Sequence, residues 1–172
     1  MKEIKLSRTG YKHKGDAVAI VDDEDYEWLI QFNWHIKKAD PKRNTGYALG
    51  IVNGKNSRMH RVIMGATDPK VQVDHINGNG LDNRRCNLRL ASNSQNHMNT
   101  KKIKGCTSKY KGVVWHKKRQ KWQTQIVADS KYMYIGVFDL EEDAARAYNE
   151  FAVACHGKFA RLNIIGGDNE IN

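Results

Sequence analysis

The sequence predicts an α+β protein: a small strand-rich N-terminal layer that ends in a strand–loop–strand–helix unit, then a three-stranded antiparallel sheet packed on one helix. Three observations predict it. Short runs with two-residue alternation recur along the chain, one long stretch near the C-terminus carries a 3.6-residue apolar period, and a polar, basic segment divides the two parts. The 172 residues and 19.7 kDa suit one ordinary domain or two very small ones.

AVAIV at 17–21 is a short buried strand. In the acidic DDEDYEWLIQF at 22–32, Asp22 or Asp23 would cap a short helix that turns Tyr26, Leu29 and Ile30 inward. WHIKK at 34–38 and YALGIV at 47–52 follow as strands joined by the turn-rich DPKRNTG, and SRMHRVIM at 57–64 continues the alternation or turns helical near its end. VQVDHI alternates, NGNGLDN at 77–83 is dense in turn residues, and NLRLAS at 87–92 is a second strand. Ser92 with Gln95 forms a capping-box pattern that opens a helix through Asn99. KKIKGCTSK at 101–109 suits a linker, and YKGVVWH, KWQTQIVA and KYMYIGVF are three further strands. DLEEDAARAYNEFAVACHG then presents Leu140, Ala144, Ala147, Tyr148, Phe151, Ala154 and Cys155 on one helical face, with Asp139 and Glu142 as a capping box and Gly157 as the stop. Its alanines allow close approach to the sheet.

The 29 Lys and Arg against 19 Asp and Glu leave a formal charge of +10 and a pI of about 9.5. Each part carries +5, so the excess is not one disordered tail. A basic stretch over 101–137, with Asp129 as its only acid, precedes an acidic one over 138–156: the pattern of a surface for phosphates and a helix facing elsewhere, or of a merely solvated surface. The mean hydropathy is −0.73. No apolar run approaches the roughly 18 residues of a spanning helix, and the N-terminus lacks a signal-peptide core. The expectation is a cytoplasmic protein, or one of the nucleoid, that is not secreted and does not contact membranes. Cys86, Cys106 and Cys155 are odd in number and widely spaced, which suits reduced thiols rather than a disulfide framework or a zinc site; Cys155 suits burial on its helix.

Asp74 and His75 end a strand beside the Asn77-Gly78 turn, Asn87 opens the next strand, and Asn96 lies on the helix after it. A carboxylate and a carboxamide oxygen suit a hard divalent cation such as Mg²⁺ or Mn²⁺, and an imidazole beside them suits a general base on water. Hydrolysis of a phosphodiester needs little more. Each residue also has a plain structural alternative: Asp74 and Asn87 closing loops through Asx turns, His75 as a structural histidine, Asn96 as a surface amide. Their joint spacing favours the site.

DHINGNGLDNRRCNLRLASNSQNHMN resembles the HNH nuclease motif of the ββα-metal fold, in the variant whose last histidine is replaced by asparagine. The resemblance implies Asp74 and Asn96 as ligands of one Mg²⁺ or Mn²⁺ per active site, His75 as the general base, and Asn87 as the residue that orients His75 through its carboxamide oxygen. It implies products with a 5′-phosphate and a 3′-hydroxyl. MHR at 59–61 resembles the segment that precedes the motif in phage HNH homing endonucleases, which assigns His60 no role. Arg84, Arg85 and Arg89 are expected near the phosphates, although Arg85 or Arg89 would equally serve as a partner of Asp82.

In the second part, alternation turns Trp122, Thr124 and Ile126 inward and Gln123, Gln125 and Val127 outward. It gathers Met133, Ile135 and Val137 into one apolar set, with Tyr132 and Tyr134 on the other face. Lys117, Lys118, Arg119 and Lys121, around a turn, are placed for phosphates, and glutamine can read adenine. SKYKGV at 108–113, KWQTQI at 121–126, YIGVFDLEEDAARAYNEFA at 134–152 and HGKFARLN at 156–163 resemble the Apetala-type, or ethylene-response-factor, DNA-binding domain. By position Lys111, Val114, His116, Gln125, Val127, Tyr132 and Tyr134 match that family's DNA-contacting residues. Several of these are arginines in the plant proteins and here are Val114, His116, Val127 and Tyr132, so the plant sequence preference does not transfer. Trp122 is expected in the core.

The expected organisation is a nuclease domain over 1–100 with its motif at 71–100, a linker at 101–107, a DNA-binding domain over 108–165 and a tail at 166–172. The expected activity is that of a metal-dependent, site-recognising DNA endonuclease of the homing type, from a phage or mobile element. It would nick or cut double-stranded DNA as a monomer. The alternative is a non-catalytic DNA-binding regulator that retains an HNH scaffold.

Overall fold

The computed structural model describes residues 1–7, 17–37, 46–102, 105–128 and 131–166. Residues 40–45 of the DPKRNTG turn, Lys38 at the end of the WHIKK run and the tail from 167 lie outside the described residues. The fold is α+β, with small sheets and few helices, and the chain divides into two compact units, Met1–Asn96 and His97–Asn172.

In the first unit β1 (Lys2–Leu6) pairs antiparallel with β2 (Ala17–Val21), and β3 (Trp34–Lys37), β4 (Tyr47–Val52) and β5 (Lys55–Arg58) form an antiparallel sheet in that order. β1 goes beyond the sequence reading; only Ile4 and Leu6 alternate there, too short a pattern to stand alone. These two, with Val21, Trp34, Leu29 of α1 (Asp23–Leu29) and Met59 of α2 (Met59–Ile63), anchor the core. Gly50 matters to it because a Cβ there would sit 2.8 Å from the Trp34 ring, whose Nε1 donates to the Leu29 carbonyl at 2.8 Å. α1 starts after Asp22, as the acidic cluster predicts, but ends at Leu29, so Ile30 is exposed rather than turned inward. Arg61 of α2 ties down the loop that follows, donating to the Ala66, Asp68 and Val71 carbonyls at 2.7, 2.8 and 2.6 Å.

β6 (Gln72–His75) and β7 (Leu88–Ala91) form a separate antiparallel pair, and a 3₁₀ turn over Arg85–Asn87 leads into β7. α3 (Asn93–Met98) follows, and its capping box closes as the sequence predicts: Gln95 N–H donates to Ser92 Oγ at 3.2 Å and Ser92 N–H to Gln95 Oε1 at 2.8 Å. The loop joining β6 to β7 is held by the N-terminal layer. Ile20 N–H of β2 donates to the Leu81 carbonyl at 2.8 Å, and Asn83 N–H returns to the Ile20 carbonyl at 2.7 Å. Asp22 accepts from Arg85 N–H at 2.7 Å, and Asp25, 1% exposed, accepts from the Arg85 guanidinium at 2.8 and 2.7 Å.

In the second unit β8 (Val113–His116), β9 (Lys121–Ala128) and β10 (Lys131–Phe138) form an antiparallel sheet with β9 central, and α4 (Glu141–His156) lies against it. Ala144, Ala145, Tyr148, Ala152 and His156 are the buried face of α4. That line is rotated from the predicted one, leaving Leu140, Phe151 and Cys155 exposed. The alanines face the sheet because Thr124 Oγ1 donates to the Ala144 carbonyl at 3.0 Å, an approach that bulkier side chains would block. Leu140 is the N-cap without a side-chain cap bond, and Asp139 instead pairs with Lys121 at 2.9 Å. Asn163 clasps the C-terminal segment to the start of the unit, exchanging hydrogen bonds with the Lys111 backbone at 2.6 and 3.0 Å and with Asn149 at 2.7 and 2.9 Å.

β9 follows the predicted alternation, with Thr124 and Ile126 buried and Val127 exposed. β10 does not, because a bulge between Tyr134 and Gly136 reverses the parity. Val137 therefore pairs with Gln123, and Phe138 pairs with Trp122 and packs on the core; Met133, before the bulge, pairs with the buried Ile126 but is itself exposed. Trp122 takes its expected core position. Gly112 has φ +78° and a Cβ there would collide with the Tyr148 ring and lie 2.7 Å from the Gln125 carbonyl. Gly112→Ala should destabilise the second unit by roughly 3 kcal/mol or more, read as a lowered urea midpoint of that unit while the first unit's transition holds.

Candidate active site

His75, the last residue of β6, is 5% exposed. Its Nε2 lies 3.2 Å from the Asn83 carboxamide oxygen, and its ring stands against two others: His60, centroid distance 4.9 Å at 87°, and Tyr47, 5.9 Å at 44°. Gly80 lets the loop close on Tyr47, since a Cβ there would reach the Tyr47 ring at 2.8 Å. Burial lowers the His75 pKa, opposed by the Asn83 bond and by the charges of Asp74 and Asp82. His60 is 3% exposed, and burial, with the neighbouring His75, Arg58 and Arg61, pushes it down to about 3. Both imidazoles are neutral near pH 7.

Asp74 pairs across the hairpin with Arg89, whose Nε and Nη2 donate to Oδ2 at 2.8 and 2.6 Å. Asn87 is buried, and its side chain is spent on the loop: Oδ1 accepts from Asn77 N–H at 3.0 Å, while Nδ2 donates to the Asn77 carboxamide oxygen at 3.1 Å and the Asp82 carbonyl at 2.8 Å. Sequence reasoning places the carboxamide that meets His75 at 87; the structure brings Asn83 there. The missed Asn83 is fully buried, and its Nδ2 donates to the Leu81 carbonyl at 3.2 Å. Its only signal in the sequence is an asparagine within a loop rich in them. Asn96 sits half-buried on α3, and among the described residues its carboxamide has no hydrogen-bond partner. Arg84 is fastened to Asp82 at 2.8 and 2.7 Å, and Arg85 to Asp25 as above. Arg58 is exposed, 5.7 Å from the Tyr47 ring centroid, with no carboxylate partner among the described residues.

In the second unit the register places Val114 beside Gln123, Gln125 beside Tyr134, and Val127 beside Tyr132, on the face away from α4. Tyr132 and Tyr134 are 78% and 58% exposed. Lys117, Lys118 and Arg119 are exposed on the turn after His116, without carboxylate partners among the described residues, and Lys121 is shared with Asp139. Lys111 is turned inward: its ammonium donates to the Met98 carbonyl at 2.5 Å, and burial, with Arg161 nearby, lowers it to about 8.

Residues 58–98 match the HNH endonuclease family, and residues 108–157 match the AP2 domain. An uncharacterized HNH endonuclease of Acanthamoeba polyphaga mimivirus is 30% identical over 152 residues, covering 86% of this chain and 75% of the viral one. The chain belongs to the HNH endonuclease family and carries an AP2-type domain. Protein 3.8 of Escherichia phage T7 is 39% identical to this HNH endonuclease over 90 residues, 52% of this chain and 74% of its own. An AP2-like ethylene-responsive transcription factor of Arabidopsis thaliana is 38% identical over 64 residues, 37% of this chain and 13% of the plant protein.

HNH nucleases generally use a divalent metal, and the donor chemistry here fits one. Among the described residues no group of three or more His, Cys, Asp or Glu could cage an ion. An acidic oxygen at Asp74 and an amide oxygen at Asn96, unpartnered among the described residues, are donors of the type that suits a hard cation. Among the described residues no helix is long and apolar enough to cross a membrane.

Lys111 gives a test by linkage. Its folded pKa of about 8 lies below the ordinary 10.5, so the unfolded chain holds the extra proton between those values and the stability of the second unit should rise as pH increases from 8 to 10.5. Lys111→Met should raise stability at pH 7 and flatten that rise, read from urea midpoints across the range.

Proposed function

We propose that the protein is a metal-dependent, site-recognising DNA endonuclease of the homing type, acting as a monomer on double-stranded DNA in the host cytoplasm. One observation carries this reading: a buried, neutral imidazole, His75, is held through Nε2 by the Asn83 carboxamide oxygen beside the acidic Asp74. If Nε2–H donates to that oxygen, Nδ1 bears the lone pair and is the basic nitrogen. His75 then takes a proton from water as the water oxygen attacks phosphorus, and the bond from phosphorus to the 3′ oxygen breaks. The products are a 5′-phosphate and a 3′-hydroxyl. Asp74 and Asn96 would hold one Mg²⁺ or Mn²⁺, which when bound neutralises charge developing on the leaving oxygen. Asn87 keeps the loop closed so that Asn83 stays on His75. The β6–β7–α3 order supports a ββα-metal layout for this site.

The second unit supplies the reader, with the sheet packed on α4 and its outer face turned to DNA. Gln125, Tyr132, Tyr134 and His116 are offered to base edges, and Lys117 and Arg119 to phosphates. Arg84, Arg89 and Lys111 would contact DNA only by leaving their intramolecular partners. We assign the nuclease domain to 1–100, the linker to 101–107, the reader to 108–165 and the tail to 166–172. Lys102 and Thr107 of that linker bond to β8 residues: Lys102 Nζ donates to the Val113 carbonyl and Thr107 Oγ1 accepts from Trp115 N–H. The T7 relative supports a phage or mobile-element origin.

The Asp74–Arg89 pair favours a second reading, a non-catalytic DNA-binding regulator, because an arginine there already neutralises the carboxylate. Supercoiled plasmid separates the two. The endonuclease should relax it with Mg²⁺ or Mn²⁺ and stop on addition of EDTA, and His75→Ala should slow relaxation on the order of 10²–10⁴-fold with DNA affinity unchanged. Binding without nicking under every divalent ion would establish the regulator instead. Gln125→Ala should reduce the preference for a selected site over random DNA by roughly 5- to 100-fold, in competition binding, while leaving nicking of non-specific plasmid intact.

A further inference from the structure

Of the five arginines in residues 58–98, four already have partners. Arg61 donates to three carbonyls, Arg84 and Arg85 are held by Asp82 and Asp25, and Arg89 pairs with Asp74. Arg58 instead stands over the Tyr47 ring, its Cζ 5.7 Å from the centroid, and among the described residues no carboxylate or carbonyl takes up its donors. A guanidinium held by its face keeps its N–H fork open to solvent. The side chain does little for the fold. It is the N-cap of α2 without a side-chain cap bond, where Ser or Asp would serve better and where the helix end repels a cation. Burial first, then the charges of His75 and Arg58, hold His60 below the ordinary histidine range, so the field of this guanidinium reaches the cluster around His75.

The surroundings of Arg58 suit a polyanion. Tyr47, Leu49 and Ile51 alternate outward along β4 while Ala48 and Gly50 face the core. Across the sheet His35, Leu49 and Arg58 share one row, and Ile51 and Asn56 the next. No Asp or Glu lies on this face among the described residues. Tyr47 joins the face to the site, since its ring carries the guanidinium and meets His60 at 5.4 Å and His75 at 5.9 Å. A DNA strand brought to His75 meets two neutral imidazoles, and Arg84, Arg85 and Arg89 are already matched with carboxylates. The approach of a phosphate therefore calls for a cation in excess, and Arg58 is one. We propose that Arg58 is a phosphate-binding residue that holds the DNA strand beside the bond His75 attacks, its guanidinium donating two N–H bonds to a phosphate close to the cut. The proposal rests on the reading of His75 as general base.

Arg58→Met keeps an alkyl stem against Tyr47 and removes the charge, whereas Arg58→Lys keeps the charge. Affinity of the full chain for a random-sequence duplex is measured against salt, with divalent ions removed by EDTA. In the Met variant the slope of log affinity against log salt should be shallower by ~0.9, the share of one phosphate. The Lys variant should keep the wild-type slope, and both should melt at the wild-type temperature. With Mg²⁺ or Mn²⁺, single-turnover nicking of supercoiled plasmid at saturating protein should slow about 10- to 100-fold in the Met variant. A Met variant with the wild-type slope overturns the contact, as do Met and Lys variants that lose slope equally. A Met variant with a shallower slope that nicks at the wild-type rate sets the contact away from the cut and overturns its placement. A shallower slope in a protein that never nicks refutes the nuclease reading and leaves the phosphate contact standing.

Discussion

Asp25 is a carboxylate almost wholly removed from water, and the Arg85 guanidinium is what keeps its charge satisfied there. Trp28 Nε1 adds one donor at 3.2 Å. Taking away one partner of such a pair is far costlier than the pair is worth, commonly about 3–5 kcal/mol, because the remaining charge stays buried. The cost ties two distant stretches together, since Asp25 lies on α1 and Arg85 opens the turn into β7. Asp22 adds a bond to the Arg85 backbone and Ile20 exchanges bonds with Leu81 and Asn83, so one side of the loop before β7 is zipped to the N-terminal layer. The first 65 residues thus have a task that their composition does not announce: they hold the loop that holds His75.

The loop itself is a problem in polar accounting. Asn77, Asp82, Asn83 and Asn87 bring many donors and acceptors into a largely buried space, where each unpaired group would be expensive. They solve it among themselves. Asn87 takes up Asn77 and the Asp82 backbone, Asp82 takes up Arg84 and Asn77, and Asn83 is left with one oxygen facing an imidazole. Two carboxamides four residues apart therefore have different tasks, one closing the loop and the other meeting His75.

What was legible in the sequence is what depends on near neighbours. The reciprocal Ser92–Gln95 cap, the extents of β2, β4, β9 and β10, and the inward Thr124 and Ile126 all follow from spacing within a few residues. What was not legible depends on partners brought from afar. Nothing local distinguishes Asn83 from Asn87; the choice is made by Ile20, more than sixty positions away. Tyr47 and His60 reach His75 from a different sheet and helix. The buried face of α4 departs from the periodic one because periodicity alone ranks Phe151 above alanine, whereas the Thr124 hydroxyl reaching the Ala144 carbonyl requires small residues. The end of β10 departs from simple alternation because a single irregularity between Tyr134 and Gly136 reverses every side chain after it.

The register of β9 and β10 also sorts the residues of the second unit into two populations. Ile126, Ile135 and Phe138 hold the sheet to α4, whereas Gln125, Val127, Tyr132 and Tyr134 look outward and lend the core nothing. Exchanges among the outward set fall in the class of surface changes that shift stability by about half a kcal/mol or less. Their identities are therefore free to drift between lineages, and a selection experiment could rewrite all four together on an unaltered scaffold.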